Sequence, residues 1–176
     1  ISMNPTLDFD IVSAHPNKPW KWLHLSMRSH LTFDIVLAHP EKPWYWWYVS
    51  GHSNIRVEHV LAHPELPWDW GGLLQNPNFT FVLVQTFPNK PWCWISLSSN
   101  ANITLDTIFT YQEFPWNWEF VSANPNLMFE NILSHPEIPW DWYKLSSNEF
   151  TKEKQQFTEK QYLKVHGCLP NPTILV

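Results

Sequence analysis

The chain has 176 residues and a formal net charge of −5, which gives no electrostatic reason to seek nucleic acid or an acidic membrane surface. It is 44% hydrophobic with 13 Trp, so despite 16 Pro it carries too much large apolar bulk to stay disordered. No apolar run approaches the ~20 residues of a membrane-spanning helix, and no basic-then-apolar leader is present. The two cysteines, Cys93 and Cys168, are too few for a disulfide scaffold. A protein that is not secreted, in a reducing compartment, is therefore expected.

Along the chain the pair Pro-Trp recurs at Pro19-Trp20, Pro43-Trp44, Pro67-Trp68, Pro91-Trp92, Pro115-Trp116 and Pro139-Trp140, always 24 residues apart. A second Trp follows each first one by two residues, at Trp22, Trp46, Trp70, Trp94, Trp118 and Trp142; only Trp47 stands outside this lattice. A fixed period of this length favours an array of small structural units over one compact core. The first residue is Ile1 and the repeat starts at Asn4 without a polar capping unit, so a piece of a longer chain is expected.

In each copy the first predicted element is a helix of about seven residues. The copies read roughly Asn-Pro-Asn-(Ile/Leu)-Thr-Phe-Asp-Ile-Val-Leu-Ala-His-Pro-Glu-Lys-Pro-Trp-x-Trp-x-x-Leu-Ser-x, where Phe-Asp-Ile-Val-Leu could be strand or helix. A strand needs its third position apolar, yet that slot holds Ile11, Ile35, His59, Leu83, Thr107 and Asn131. The fourth holds Val12, Val36, Val60, Val84, Ile108 and Ile132. Apolar first and fourth positions, with a mostly apolar fifth, follow helical spacing. Thr32, Thr80 and Thr104 stand where an N-cap belongs, and Asp10, Asp34, Glu58, Asp106 and Glu130 fall in the first turn, where the helix dipole favours them. Leu31 with Val36 and Ile103 with Ile108 form hydrophobic staples. The helix must stop at His39-Pro40 and its equivalents, because the residue before proline is forced out of the α region.

The second predicted element starts at Pro43-Trp44 and its equivalents, since proline suits a first helical turn. Glu41, Glu65 and Glu137, or Asn17 and Asn89, are its expected caps. One Trp then packs inside its own helix pair while the other reaches the neighbouring repeat; Trp68 and its equivalents are expected in the interfaces. Two-turn helices do not persist alone, so burial between repeats must hold them. The fold class is accordingly all-α: an α-solenoid of six two-helix 24-residue repeats over residues 1–148. Residues 149–176 break the lattice. Phe150, Phe157 and Leu163 among many charges predict an amphipathic capping helix up to Lys164, followed by an extended tail.

His15, His39, His63 and His135 each follow an acid by five residues. Equivalent groups ~9–10 Å apart are too distant to share a metal ion, and Phe87 and Tyr111 fill the same slot in other copies. Helix-terminal histidines bonding locally are expected instead. No glycine-rich phosphate loop, Cys/His ligand cluster or nucleophile-base pattern is present, so neither enzymatic activity nor any cofactor or metal is expected. The sequons at Asn78 and Asn102 coincide with a recurring Asn-x-Thr slot and are expected to be unused.

These residues, Asn-Pro-Asn-Ile-Thr-Phe-Asp-Ile-Val followed by His-Pro-Glu-Lys-Pro-Trp-x-Trp-x-x-Leu-Ser, resemble the Trp- and Pro-rich tandem repeats of uncharacterised proteins from giant DNA viruses, over about residues 4 to 148. The resemblance implies a viral protein in the host cytoplasm or the virion, and carries no activity. Phe87, Tyr111 and Gly71-Gly72 depart from the pattern.

Between copies, the x positions of Trp-x-Trp-x-x vary freely. Tyr45, Trp47 and Tyr48 cluster in repeat two, and clustered exposed aromatics mark an interface. A protein partner, either a second copy or another viral or host protein, is expected to bind there. A different class of function would use the Trp lattice as a stacking platform for single-stranded RNA. Only Lys18, Lys42 and Lys90 recur in a fixed slot, which disfavours it.

Overall fold

A computed structural model describes residues 9–150, together with 156 and 160. The described residues are helical without strands, in twelve short helices that come two to a repeat. The first helices of the six pairs are α1 (Phe9–Ala14), α3 (Phe33–Ala38), α5 (Val57–Ala62), α7 (Val82–Thr86), α9 (Leu105–Thr110) and α11 (Phe129–Ser134). The second helices are α2 (Trp22–Ser26), α4 (Trp46–Gly51), α6 (Trp70–Leu74), α8 (Trp94–Ser98), α10 (Trp118–Val121) and α12 (Trp142–Ser147). The chain divides into two compact units, Ile1–Trp92 and Cys93–Val176. Of the capping helix predicted from residue 149 to Lys164, the described start is not helical, with Phe150 at φ 47°; Gln156 and Lys160 are helical, and the rest of it, the extended tail and Cys168 lie outside the described residues.

The first helices follow the sequence pattern with three corrections. Val12, Val36, Val60, Val84, Ile108 and Ile132 are all buried, as are the staple residues Leu31, Ile55, Phe79, Ile103 and Leu127. The helices are five or six residues long, not seven, and the fifth position is outside: Leu37, Leu61 and Leu133 are exposed. So short a helix has one buried stripe, through positions one and four, and the fifth residue lies ~100° beyond it, toward solvent. Thr32 and Thr104 cap as predicted, accepting from the N–H of Ile35 and Thr107. Thr80 does not, because α7 begins one residue late, with Phe81 in helical conformation as its N-cap. His39, His63, Phe87, Tyr111 and His135 terminate their helices with similar backbone angles, near φ −134° and ψ 55° at His39 and φ −117° and ψ 53° at Tyr111. The conformation before proline or its stand-in, and not the imidazole, makes this slot work.

The second helices start two residues later than predicted, at the second Trp. The N–H of Trp44 bonds the carbonyl of Lys42 at 2.8 Å, and Trp20, Trp68, Trp92, Trp116 and Trp140 make the same tight turn at 2.7–2.8 Å. A three-residue turn at this point excludes a helical first turn. The x residue between the two Trp is then extended and becomes the N-cap: the side chains of Asp69, Asn117 and Asp141 accept from the N–H of Gly72, Phe120 and Lys144 at 2.7, 3.2 and 2.8 Å. The acids predicted as caps do other work. Glu65 and Glu137 bond the Nδ1 of His63 and His135, and Glu41 pairs with Lys42.

Candidate interaction surface

The first Trp of each pair from repeat two onward is buried: Trp44, Trp68, Trp92, Trp116 and Trp140. The indole N–H of each donates to the carbonyl five residues earlier in its own repeat, at 2.7–2.9 Å, as Trp44 does to His39 and Trp116 to Tyr111. The ring meets the second Trp of the preceding repeat edge-to-face. In the first unit these pairs are Trp22–Trp44, Trp46–Trp68 and Trp70–Trp92, with ring centroids 5.0–5.3 Å apart. In the second they are Trp94–Trp116 at 5.2 Å and Trp118–Trp140 at 6.0 Å. A ring from the preceding first helix stacks on the same indole where Phe9 meets Trp44 and Phe33 meets Trp68. One Trp thus hydrogen-bonds within its repeat while the pair joins neighbouring repeats.

Two polar ladders accompany the aromatic one, and neither was read from the sequence. Ser26, Ser50, Ser98 and Ser122 are fully buried. Their hydroxyls accept the N–H of the x residue in the next repeat, Tyr45, Asp69, Asn117 and Asp141, at 2.9–3.0 Å. Three of them also donate back to a Trp carbonyl one turn earlier, at 2.7–2.9 Å. Repeat three has Leu74 in this slot. The second ladder is of amides. The Asn76 side chain donates to the carbonyls of Ser50, His52 and Ile55 at 2.8, 2.9 and 3.1 Å. Asn124 does so to Ser98, Asn100 and Ile103. Asn54, Asn78 and Asn126 bind the adjoining carbonyls of the preceding repeat in the same way. Buried loop carbonyls need such donors, because water cannot reach them. The available signal was a polar residue recurring in one slot at every period.

His63 and His135 bond locally, to Glu65 and Glu137, whereas the Nε2 of His39 lies 3.4 Å from the Ser13 hydroxyl of the preceding repeat, contrary to the local bonding expected of it. Among the described residues no three His, Cys, Asp or Glu side chains are placed to hold a metal ion. The carboxyls of Glu65 and Glu137 are held below their usual range by their own backbone N–H and then by the facing histidine. A recess of about 270 Å³ near Asn148 is lined by Ala123, Pro125, Lys144, Ser147, Asn148 and Glu149, and the Ser147 hydroxyl there donates to the backbone carbonyls of Tyr143 and Lys144. One histidine does respond to its surroundings. The His59 ring stacks on Phe33 at 4.3 Å, and its Nδ1 accepts the N–H of Arg56 at 3.2 Å. Burial, followed by the Arg56 charge, pushes its pKa below the ordinary imidazole value. The unfolded chain therefore takes up a proton more readily than the folded one. This group leaves stability intact above pH ~6.5 and erodes it as the pH falls from there. Melting temperature should drop between neutral and mildly acidic pH, and His59→Leu should reduce that drop; an equal drop in the variant would show that His59 is not responsible.

Outside the lattice, Tyr45, Trp47 and Tyr48 are 50%, 49% and 36% exposed. They sit together on α4 and its N-cap. Trp47 also leans on the next repeat, where a Cβ added to Gly71 would stand 2.8 Å from its ring. A Cβ on Gly72 would run into the Trp47 carbonyl oxygen and come within 3.2 Å of the Ser50 Cβ. The two glycines that interrupt the repeat pattern thus let α6 settle directly on α4, while half of the Trp47 ring stays accessible.

No family model matches this chain, and no curated protein or solved structure is significantly similar to it. The resemblance to viral repeats rests on the Pro-Trp-x-Trp motif and its period.

Proposed function

We propose that the protein is a non-enzymatic α-solenoid of six helix pairs acting as a protein–protein interaction or scaffold module, in the cytoplasm or virion setting that its motif implies. The observation that carries this reading is the contrast between the Trp lattice, whose rings meet one another between repeats, and the Tyr45, Trp47 and Tyr48 cluster, which does not belong to it and is open to solvent. Exposed clustered aromatics are typical anchors of protein interfaces. Successive repeats within each unit join through the same ring and hydrogen-bond contacts, which is how a solenoid grows. No helix among the described residues is long and apolar enough to cross a membrane. The RNA-platform alternative is disfavoured because the first Trp of each pair from repeat two onward is buried and edge-packed, leaving no row of open faces for bases.

Substituting Tyr45→Ser, Trp47→Gln and Tyr48→Ser together should abolish capture of protein partners while circular dichroism reports unchanged helix content. Loss of helix in that variant would place these residues in the core, and undiminished capture would place the interface elsewhere. Filter binding of the purified chain to single-stranded RNA at low salt should show no retention; tight, salt-sensitive retention would favour the RNA reading.

A further inference from the structure

The sequon Asn78-Phe79-Thr80 stands where the fourth repeat begins, within the first unit, and the fold uses its acceptor nitrogen for another purpose. An N-linked oligosaccharide attaches to the side-chain nitrogen of the Asn in such a tripeptide. That nitrogen carries two hydrogens. The Asn78 Nδ2 donates to the carbonyls of Ser53 at 2.6 Å and Ile55 at 3.0 Å, both in the preceding repeat. The backbone around it is tied as well: the Asn78 N–H donates to the Asn76 Oδ1 at 2.8 Å, and the Phe79 N–H to the Asn76 carbonyl at 3.0 Å. The Phe79 side chain is 3% exposed. Asn78 and Thr80 themselves lie at the surface, so the acceptor is occupied by bonding and not by depth.

We infer that Asn78 is a conditional modification site, open to N-glycosylation in the unfolded chain and closed by folding. In the transfer, the anomeric carbon of an oligosaccharide leaves its lipid pyrophosphate carrier and bonds to Nδ2, which gives up one hydrogen as a proton. To reach that nitrogen in the folded chain, a transferase must undo two side-chain bonds, two backbone bonds and the burial of Phe79 together. Such a release is an opening of the junction between two repeats, not a fluctuation of one side chain. The exclusion also runs the other way. A glycosylated Asn78 has one hydrogen left for two carbonyls, and the sugar stands where the preceding repeat packs. A chain modified before it folds cannot close this junction, so the native state belongs to molecules that fold before, or away from, N-glycosylation. These contacts carry the inference, and it is independent of the partner reading.

The test directs the full chain into the secretory pathway of cultured cells behind a cleavable leader, with Thr104→Asp in every version. That change removes the second sequon and keeps an N-cap acceptor for the Thr107 N–H. Thr80→Val removes the first sequon at an exposed residue that does not cap its helix. A band shift reversed by peptide N-glycosidase reports the Asn78 glycan, and circular dichroism with thermal melting reports the fold. Molecules with the glycan should lack the native melting transition, and molecules with the transition should lack the glycan. Thr80→Val from the same compartment should melt as the cytosolically expressed protein does. Trp68→Ala, which loosens the same unit, should raise the modified fraction unless the wild type is already fully modified. A glycosylated chain with the native melting temperature would overturn the inference. So would wild type and Trp68→Ala that are equally unmodified, which would place the block outside the fold. A Thr80→Val chain that folds in the cytosol and not in the secretory pathway would overturn it too, since the compartment and not the glycan would then be at fault.

Discussion

Replacing Trp68 by Ala is expected to lower the free energy of unfolding by about 3–5 kcal/mol, the usual cost of removing a large buried aromatic. Trp68 is 5% exposed, meets Trp46 edge-to-face and stacks on Phe33 at 6.0 Å. Its truncation would open a void between two repeats that short helices are poorly able to close. The indole N–H also donates to the His63 carbonyl at 2.8 Å. Trp68→Phe, which keeps a ring and loses that donor, should cost about 1 kcal/mol beyond the lost ring area. Urea unfolding of the three proteins separates the contributions through their midpoints. An unchanged midpoint in Trp68→Ala would show that this Trp does not hold the repeats together.

Asn76→Asp should be at least as severe although it changes almost no volume. The Asn76 amide points its hydrogens at the carbonyls of Ser50, His52 and Ile55, in a site where the residue is 3% exposed. A carboxylate there faces three oxygens with no hydrogen to offer, and an uncompensated buried charge typically costs about 3–5 kcal/mol. The carboxyl would resist ionisation, so its folded-state pKa would rise above the unfolded one and the loss would shrink as the pH falls into the acid range. Thermal melting near neutrality and in mild acid tests both statements. A melt at neutrality equal to that of the wild type would show that the amide ladder contributes little.

Both predictions concern contacts between repeats, and that is where the sequence was hardest to read. The register of the first helices was legible because a helix of five or six residues has one buried stripe, so Val36 and its equivalents stay apolar in every copy while their neighbours drift. Its end was legible too, through the restriction that proline places on the residue before it. Proline misled at the second helix. Pro43 is compatible with a helical first turn, but the Trp44 N–H turns back to Lys42 and its indole to His39, and these bonds set the start at Trp46 instead. The partners of Ser50 and Asn76 lie 19 to 26 residues away, so no local pattern could display them. Tyr45, Trp47 and Tyr48 were visible for the opposite reason: they differ from the equivalent residues of the other copies, and difference within a repeat is informative where sameness describes only scaffolding.

The edge-to-face Trp pairs also make the molecule its own optical reporter. Two indoles held at one separation and angle couple their electronic transitions, and the coupled pair gives a split circular-dichroism band of opposite signs that neither ring produces alone. Five such pairs, at interplanar angles of 79–89°, repeat one geometry. Their signals add in phase, while in an unfolded chain the orientations average out. The amplitude of that band therefore counts intact junctions between repeats, and separates the breaking of a junction from the melting of a helix.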